Sequence, residues 1–271
     1  LFESLSALVL YVTKGNPGVA TVDNFEASLF GPFTQVLQRD VTEFKPYVFQ
    51  IFAQLLEMRK GNGISQNYWS LFQPCLTAAL WTKANIPALS RLLTSYLIVD
   101  ANTIVAQNQL QPVLGCWLKA QSMSSTQSSG FELLKALLVN VQMEAVVQYI
   151  PTITSTLVQA MQKNMNVRFA TGFLGSFWGI VIAKHGVQSL EQSLEGMQNG
   201  LFCQLTQQVW CTKAKSVSNQ FLRKALCIAG ARMLVESPSL KQQPQLWSQV
   251  ACTTIELIQM LQQNHVDTDS A

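Results

Sequence analysis

Charge is scarce in this chain. Only 12% of its 271 residues are Asp, Glu, Lys or Arg, about half the usual share. The net charge of +3 is spread without a dense Lys/Arg block. A protein that grips a nucleic-acid backbone needs a basic stripe, so direct nucleic-acid binding is disfavoured. Histidine is scarcer still, with His185 and His265 alone. No HExxH, DxD-type cluster, Walker loop or GxSxG occurs, and the acidic residues are scattered singly, which leaves no paired carboxylates for acid/base work. His185, in "AKHGVQ", precedes a helix-capping Gly186, where a cation also favours the last helix carbonyls, so a capping or surface role is expected. The reading is of a protein that is not an enzyme, with no catalytic residue, metal ligand or cofactor.

Cysteine pairs are missing as well. Cys75, Cys116, Cys203, Cys211, Cys227 and Cys252 all lie in apolar helical patterns, and none forms CxxC. Buried free thiols of a reducing compartment are expected. Cys203 and Cys211 stand eight residues apart, and the helical rise over that distance separates their sulfurs too far for a shared metal. The longest apolar run, "FATGFLGSFWGIVIA" at 169–183, spans 15 residues between Arg168 and Lys184. That is short of a bilayer span, and a buried helix without membrane insertion fits it better. The opening "LFESLSALVLYV" carries Glu3 and no basic n-region. It does not read as a signal peptide, and the chain is expected to begin inside something larger. Glycine is too sparse for a phosphate cradle: "GNG" at 61–63 reads as a turn and "GFLG" at 172–175 as close helix packing.

What the chain does have is apolar surface and glutamine. Hydrophobic residues make up 48% and glutamines number 29, enough for a large core under weakly charged polar faces. No strand pattern stands out. Apolar residues recur at helical spacing, predicting helices near 2–13, 24–38, 43–59, 66–81, 86–99, 102–120, 129–139, 143–162, 166–184, 187–196, 199–214, 218–236 and 245–263. "QSMSSTQSSG" at 121–130 reads as a mobile loop, and 264–271 as a flexible tail after a single structural domain over 1–263. The stretch "DVTEFKPYVFQIFAQLLE" at 40–57 predicts a helix packed through Phe44, Val48, Ile51, Phe52 and Leu55. Pro46 falls near its first turn, and Asp40 with Glu43 resembles a capping box.

Repetition fixes the fold class. "LFGPFTQVL", "LFQPCLTAAL", "QLQPVLGCWL" and "YIPTITSTL" each place a proline before a helical run, and Pro32, Pro74, Pro112 and Pro151 are spaced 42, 38 and 39 residues apart. A period near 40 with two helices per unit is the HEAT or armadillo signature. The expectation is an all-α superhelix of about six HEAT-type hairpins, each proline early in its helix, because a lone hairpin cannot bury its apolar stripe whereas stacked ones share a core. Such a fold binds through an extended face. Lys119, Lys163, Arg168, Lys213, Lys215, Arg223 and Lys224 lie at helix ends or turns. They read either as a modest basic ridge towards an acidic partner or as ordinary solvated positions. Trp117, Trp178, Trp210 and Trp247 read as core.

Residues 29 to 98 carry a resemblance. "DVTEFKPYVFQ" at 40–50, "LW" followed by "NIPALSRLL" at 80–93, "LLTSYLIVDANTIV" at 92–105, "GFELLKALL" at 130–138 and "LVESP" before "LW" at 234–247 resemble the C-terminal region of the importin-alpha re-exporters. These form the cellular apoptosis susceptibility branch of the importin-beta (karyopherin-beta) superfamily. The resemblance implies a HEAT-repeat exportin segment that binds Ran in its GTP form together with importin-alpha and shuttles between nucleus and cytoplasm. It leaves room for transient contact with the nuclear pore. The stretch "MQKNMNVRFATGFLGSFWGIVIAKHG" keeps the helical plan but departs in detail, and "VDTDSA" is a weak version of the family's acidic tail. The alternative is a HEAT scaffold subunit of another assembly, without Ran dependence.

Overall fold

The structure, a computed structural model, describes residues 1–163 and 165–269, with side chains through 263. The side chains of the expected tail, His265 included, fall outside the described residues, as do residues 270 and 271. Helices and short connections make up the described chain, which divides into two compact units, Leu1–Val141 and Gln142 onward.

The first unit runs through α1 (Phe2–Gly15), α2 (Val19–Gln38), α3 (Lys45–Glu57), α4 (Gln66–Cys75), α5 (Ile86–Ala106), α6 (Leu110–Gln121) and α7 (Gln127–Asn140). Helices α3, α5 and α7 pack side by side, and they begin 41 residues apart each time, at Lys45, Ile86 and Gln127. Each follows a similar turn. The Val41 carbonyl accepts from the backbone N–H groups of Phe44 and Lys45, the Thr82 carbonyl from Asn85 and Ile86, and the Met123 carbonyl from Thr126. This repeated hairpin is the all-α, HEAT-type arrangement that the period near 40 predicts.

The prolines that follow that period do not mark equivalent points. Pro112 and Pro151 sit in first turns, but Pro32 lies deep inside α2 and Pro74 next to the last residue of α4. Helix starts are marked instead by Pro46 in α3 and Pro87 in α5, where a missing N–H costs nothing. Helix α3 buries Val48, Phe49, Ile51, Phe52, Leu55 and Leu56, more than one stripe, because neighbours cover it on several sides. Phe44 lies just outside the helix, 45% exposed, with its ring 5.4 Å from that of Phe2. No capping box forms. Asp40 takes a left-handed backbone (φ 59°) and pairs with the Lys45 amine.

Helix α5 breaks at Asp100, as the sequence predicts between 99 and 102. The Asp100 carboxylate caps the second segment, accepting from the backbone N–H and the hydroxyl of Thr103 at 3.1 and 2.7 Å. The expected loop at 121–130 shrinks to a turn, since α7 already starts at Gln127. The Thr126 hydroxyl donates to the Ala120 carbonyl, and Gly130 sits so close to Gln121 that a Cβ would stand 2.9 Å from its amide nitrogen.

In the second unit α8 (Met143–Val146) continues through a 3-10 turn, Val147–Tyr149, into α9 (Ile150–Lys163). Then α10 (Val167–Thr171), a π-helical segment, Gly172–Gly179, and α11 (Ile180–His185) form one unbroken rod. After α12 (Gln188–Glu195) comes a second composite helix, from α13 (Leu201–Leu205) through π-helical Thr206–Trp210 and α14 (Cys211–Lys213) to a 3-10 turn, Ala214–Ser216. The unit closes with α15 (Gln220–Glu236), α16 (Pro238–Lys241) and α17 (Pro244–Asp269).

Helix α15 is the centre of this unit, flanked by the π-helical rod and by α17. Glycines let it approach both. A Cβ on Gly175 would stand 2.9 Å from Leu222 and one on Gly179 3.1 Å from Leu226, while one on Gly230 would collide with the Thr254 hydroxyl. The "GFLG" stretch is thus close helix packing, and all eight residues of the π segment are buried. No helix among the described residues is long and apolar enough to cross a membrane.

Two expectations about the core need correction. Trp117, Trp178 and Trp210 are buried, but Trp247 is 41% exposed, its indole N–H donating to the Leu234 carbonyl at 3.0 Å. All six cysteines are free, yet Cys252 is exposed and Cys211 and Cys227 only half-buried. Burial pushes the Cys116 thiol up to about 12 and the Cys203 thiol up to about 11.

Candidate binding surfaces

The basic residues singled out in the sequence do not share one fate. Lys119 is exposed in the last turn of α6, in the first unit. In the second unit, α10 packs against the 3-10 turn Ala214–Ser216, bringing the segment of Arg168 to that of Lys213 and Lys215. Lys163, Arg168, Lys213, Lys215 and Lys224 are all exposed. Lys215 pairs with Glu256 at 2.8 Å, and Lys213 makes no ion pair among the described residues.

The backbone adds to this positive end. The Asn166 side chain caps α10 by accepting from the Phe169 N–H at 2.8 Å, and Asn219 caps α15 by accepting from the Leu222 N–H at 3.1 Å. The rod and α15 run parallel, since Gly175 faces Leu222 and Gly179 faces Leu226. Their N-termini, the positive ends of the helix dipoles, therefore lie at the same end as these cations. Met165, Val167 and Phe221, 40%, 66% and 53% exposed, add apolar surface around them.

Arg223 leaves the ridge. It is only 5% exposed, and its Nε donates to the Val217 carbonyl at 3.1 Å, tying the 3-10 turn to α15. The signal was in the sequence, because positions 223, 226 and 230 share one face of α15, the face that carries Leu226 and Gly230 into the core.

The second feature is a cavity of about 700 Å³ among the end of α11, helix α12 and the α15–α16 junction, lined by His185, Glu191, Glu195, Arg232, Glu236 and Ser239 among others. Glu236 accepts from the Val187 N–H at 3.2 Å and from Arg232 Nε at 2.6 Å, and Arg232 Nη1 donates to the Ala183 carbonyl. Glu195 accepts from the N–H groups of Gly200 and Phe202. Burial holds the His185 imidazole down to about 4, with Lys184 and Arg232 pushing the same way and Glu144 opposing. Glu236 is held below the usual carboxylate range chiefly by its hydrogen bond to Arg232. Sequence reasoning missed this cluster because its members, from 185 to 239, meet only through the packing of α11 and α12 on α15. Among the described residues, no group of three or more His, Cys, Asp or Glu is placed to hold a metal ion.

The family described as "CAS/CSE protein, C-terminus" matches residues 1–271. Relatives named "Exportin-2" are similar along the chain. The one from Danio rerio is 31% identical over 274 residues, covering 99% of this chain and 28% of the relative. The one from Homo sapiens is 32% identical over 265 residues, covering 96% and 27%. The solved structure described as "The exportin Cse1 in its cargo-free, cytoplasmic state" superposes with a TM-score of 0.78 at 29% identity, covering 94% of this chain and 27% of that one. The chain thus spans just over a quarter of the length of these relatives.

Proposed function

The chain belongs to the CAS/CSE family, matching its C-terminal part, and from that premise we propose that it is a segment of a nuclear export receptor that binds importin-alpha together with Ran in its GTP form. The receptor is not an enzyme. It shuttles between nucleus and cytoplasm, and this segment supplies one side of the grip on its cargo. Supporting this are relatives named exportins and the similar solved structure, an exportin in a cargo-free, cytoplasmic state.

The observation that carries the reading to residues is the positive end of the second unit. Arg168, Lys213, Lys215 and Lys224, the capped starts of α10 and α15, and exposed Met165, Val167 and Phe221 suit an acidic protein surface with apolar anchors. The experiment is charge reversal, Lys213→Glu with Lys215→Glu, in the full-length receptor. Binding of importin-alpha in the presence of Ran-GTP is expected to weaken. Unchanged affinity with an intact fold overturns the assignment of this surface. Retention of partners that is independent of Ran-GTP overturns the export reading in favour of a HEAT scaffold subunit.

A further inference from the structure

The cavity beside His185 is opposite in sign to the basic end of the same unit. Glu191, Glu195 and Glu236 line it against the single guanidinium of Arg232, and that guanidinium is already engaged by Glu236 and the Ala183 carbonyl. Glu191 is the telling member. It is only 6% exposed, and its Oε1 accepts from the Ser239 N–H at 3.1 Å, while its Oε2 has no hydrogen-bond partner among the described residues. A buried carboxylate oxygen without a donor is costly, and a ligand that supplies one recovers that cost. His185 adds a second open position, since its Nε2 is buried and unpartnered. The imidazole, held down to about 4, is neutral at physiological pH and adds no positive charge.

We propose that this cavity is a socket for a cationic side chain, Lys or Arg, presented by a protein partner. Its volume of about 700 Å³ falls within the roughly 300–1,000 Å³ of ligand-binding clefts. Its buried open carboxylate oxygen is an acceptor, and three carboxylates face one guanidinium, which disfavours an anion and selects an N–H donor carrying positive charge. A neutral donor would satisfy Glu191 Oε2 but leave the excess carboxylate charge uncompensated. The exposed mouth residues Gln188 and Gln192 are long amides suited to the polar backbone beside such an anchor. The proposal goes beyond the export reading and stands on the cavity alone, whichever partner carries the side chain.

The test is a titration of the isotope-labelled 271-residue chain with Nα-acetyl-arginine methylamide and Nα-acetyl-lysine methylamide, followed by amide chemical shifts. At least one cationic probe is expected to shift Val187, Gly200 and Ser239 saturably, these being N–H groups that donate to the lining carboxylates. Nα-acetyl-glutamate methylamide is expected to leave them in place. Glu191→Gln is expected to weaken binding ~tenfold or more, the scale of one charge-assisted hydrogen bond. Should that variant unfold, Gln192→Lys, at an exposed position of α12, places a competing cation at the mouth and is expected to abolish binding. Absence of saturable shifts with both cationic probes overturns the proposal. So does equal binding of the glutamate probe, or full affinity in whichever folded variant is measured.

Discussion

The hydroxyl of Tyr96 donates to the backbone carbonyl of Tyr68, while the hydroxyl of Tyr68 donates to that of Phe52 at 2.8 Å. Their rings meet edge-on, Phe52 to Tyr68 at 5.9 Å and Tyr68 to Tyr96 at 6.1 Å. Three successive helices, α3, α4 and α5, are thereby strung on two buried hydroxyls, and burial pushes both phenols well above their ordinary range. The arrangement turns a generic apolar stack into one with a fixed register, because each ring must reach a particular carbonyl of the preceding helix.

Replacing either hydroxyl tests that account. Tyr68→Phe and Tyr96→Phe are each expected to lower the unfolding free energy by about 0.5–1.5 kcal/mol, the net value of a buried hydrogen bond. Urea denaturation gives the number. A double variant should depart from additivity, as the two residues touch. Wild-type stability in both single variants would show that the hydroxyls hold nothing.

Gly230→Ala is expected to cost about 1–3 kcal/mol, the range for overpacking a well-filled core. The added methyl would collide with the Thr254 hydroxyl and stand 3.1 Å from the Trp210 ring. Thr254→Ala in the same chain should return part of the loss, because it removes the nearer of the two obstacles. If the double variant is no more stable than Gly230→Ala alone, the α15–α17 contact is not what constrains this position.

Neighbouring cations in α15 should behave in opposite ways. Arg223→Ala removes a buried side chain that bridges to the Val217 carbonyl, an expected loss of about 1–3 kcal/mol. Lys224→Ala, on the exposed face, is expected to stay within about 0.5 kcal/mol of wild type. Thermal unfolding of the two variants separates a structural arginine from a surface lysine. Equal stabilities would return Arg223 to the ridge.

His185 sets a pH dependence. Its folded value of about 4 lies below the ordinary 6.5, so the unfolded chain binds more protons between the two. Stability is then full above 6.5 and declines as pH falls towards 4. Lys184 and Arg232 reinforce the depression and Glu144 opposes it. Glu26 in the first unit acts the other way, since burial raises its carboxyl above 4.5 and its ionisation weakens the fold as pH rises. The clean reading is therefore the difference between wild type and His185→Gln in urea midpoints at pH 7 and pH 4.5. The variant should lose less on acidification, and an identical loss would show that His185 is not the titrating group.

Sequence alone placed most of the helices, although the one expected over 102–120 is broken between Ala106 and Leu110. The boundary at Asp100, the rod from 167 to 185 and the tight packing at "GFLG" were all legible. An apolar face must repeat at helical spacing, and an Asp or a Gly leaves a local mark on the backbone that needs no distant partner. The period near 40 was legible for the same reason, although two of the four prolines that follow it do not mark helix starts. Pro32 and Pro74 sit inside their helices, whereas the true punctuation is the turn ahead of α3, α5 and α7. A proline's local constraint does not say at which point of a helix the fold tolerates it.

The all-α hairpin plan and the family both rest on patterns that span a few tens of residues, and so needed no distant contact to be read. Tertiary structure alone decided which polar groups have lost water. Arg223 and Lys224 are adjacent and chemically alike, yet one is clamped on a carbonyl and the other is free to meet a partner. Glu191, Arg232 and Glu236 look like scattered surface charges until α12 and α15 close a cavity around them. Burial is a property of the neighbours a residue acquires from distant segments, and charge in this chain matters through where it is buried rather than through how much of it there is.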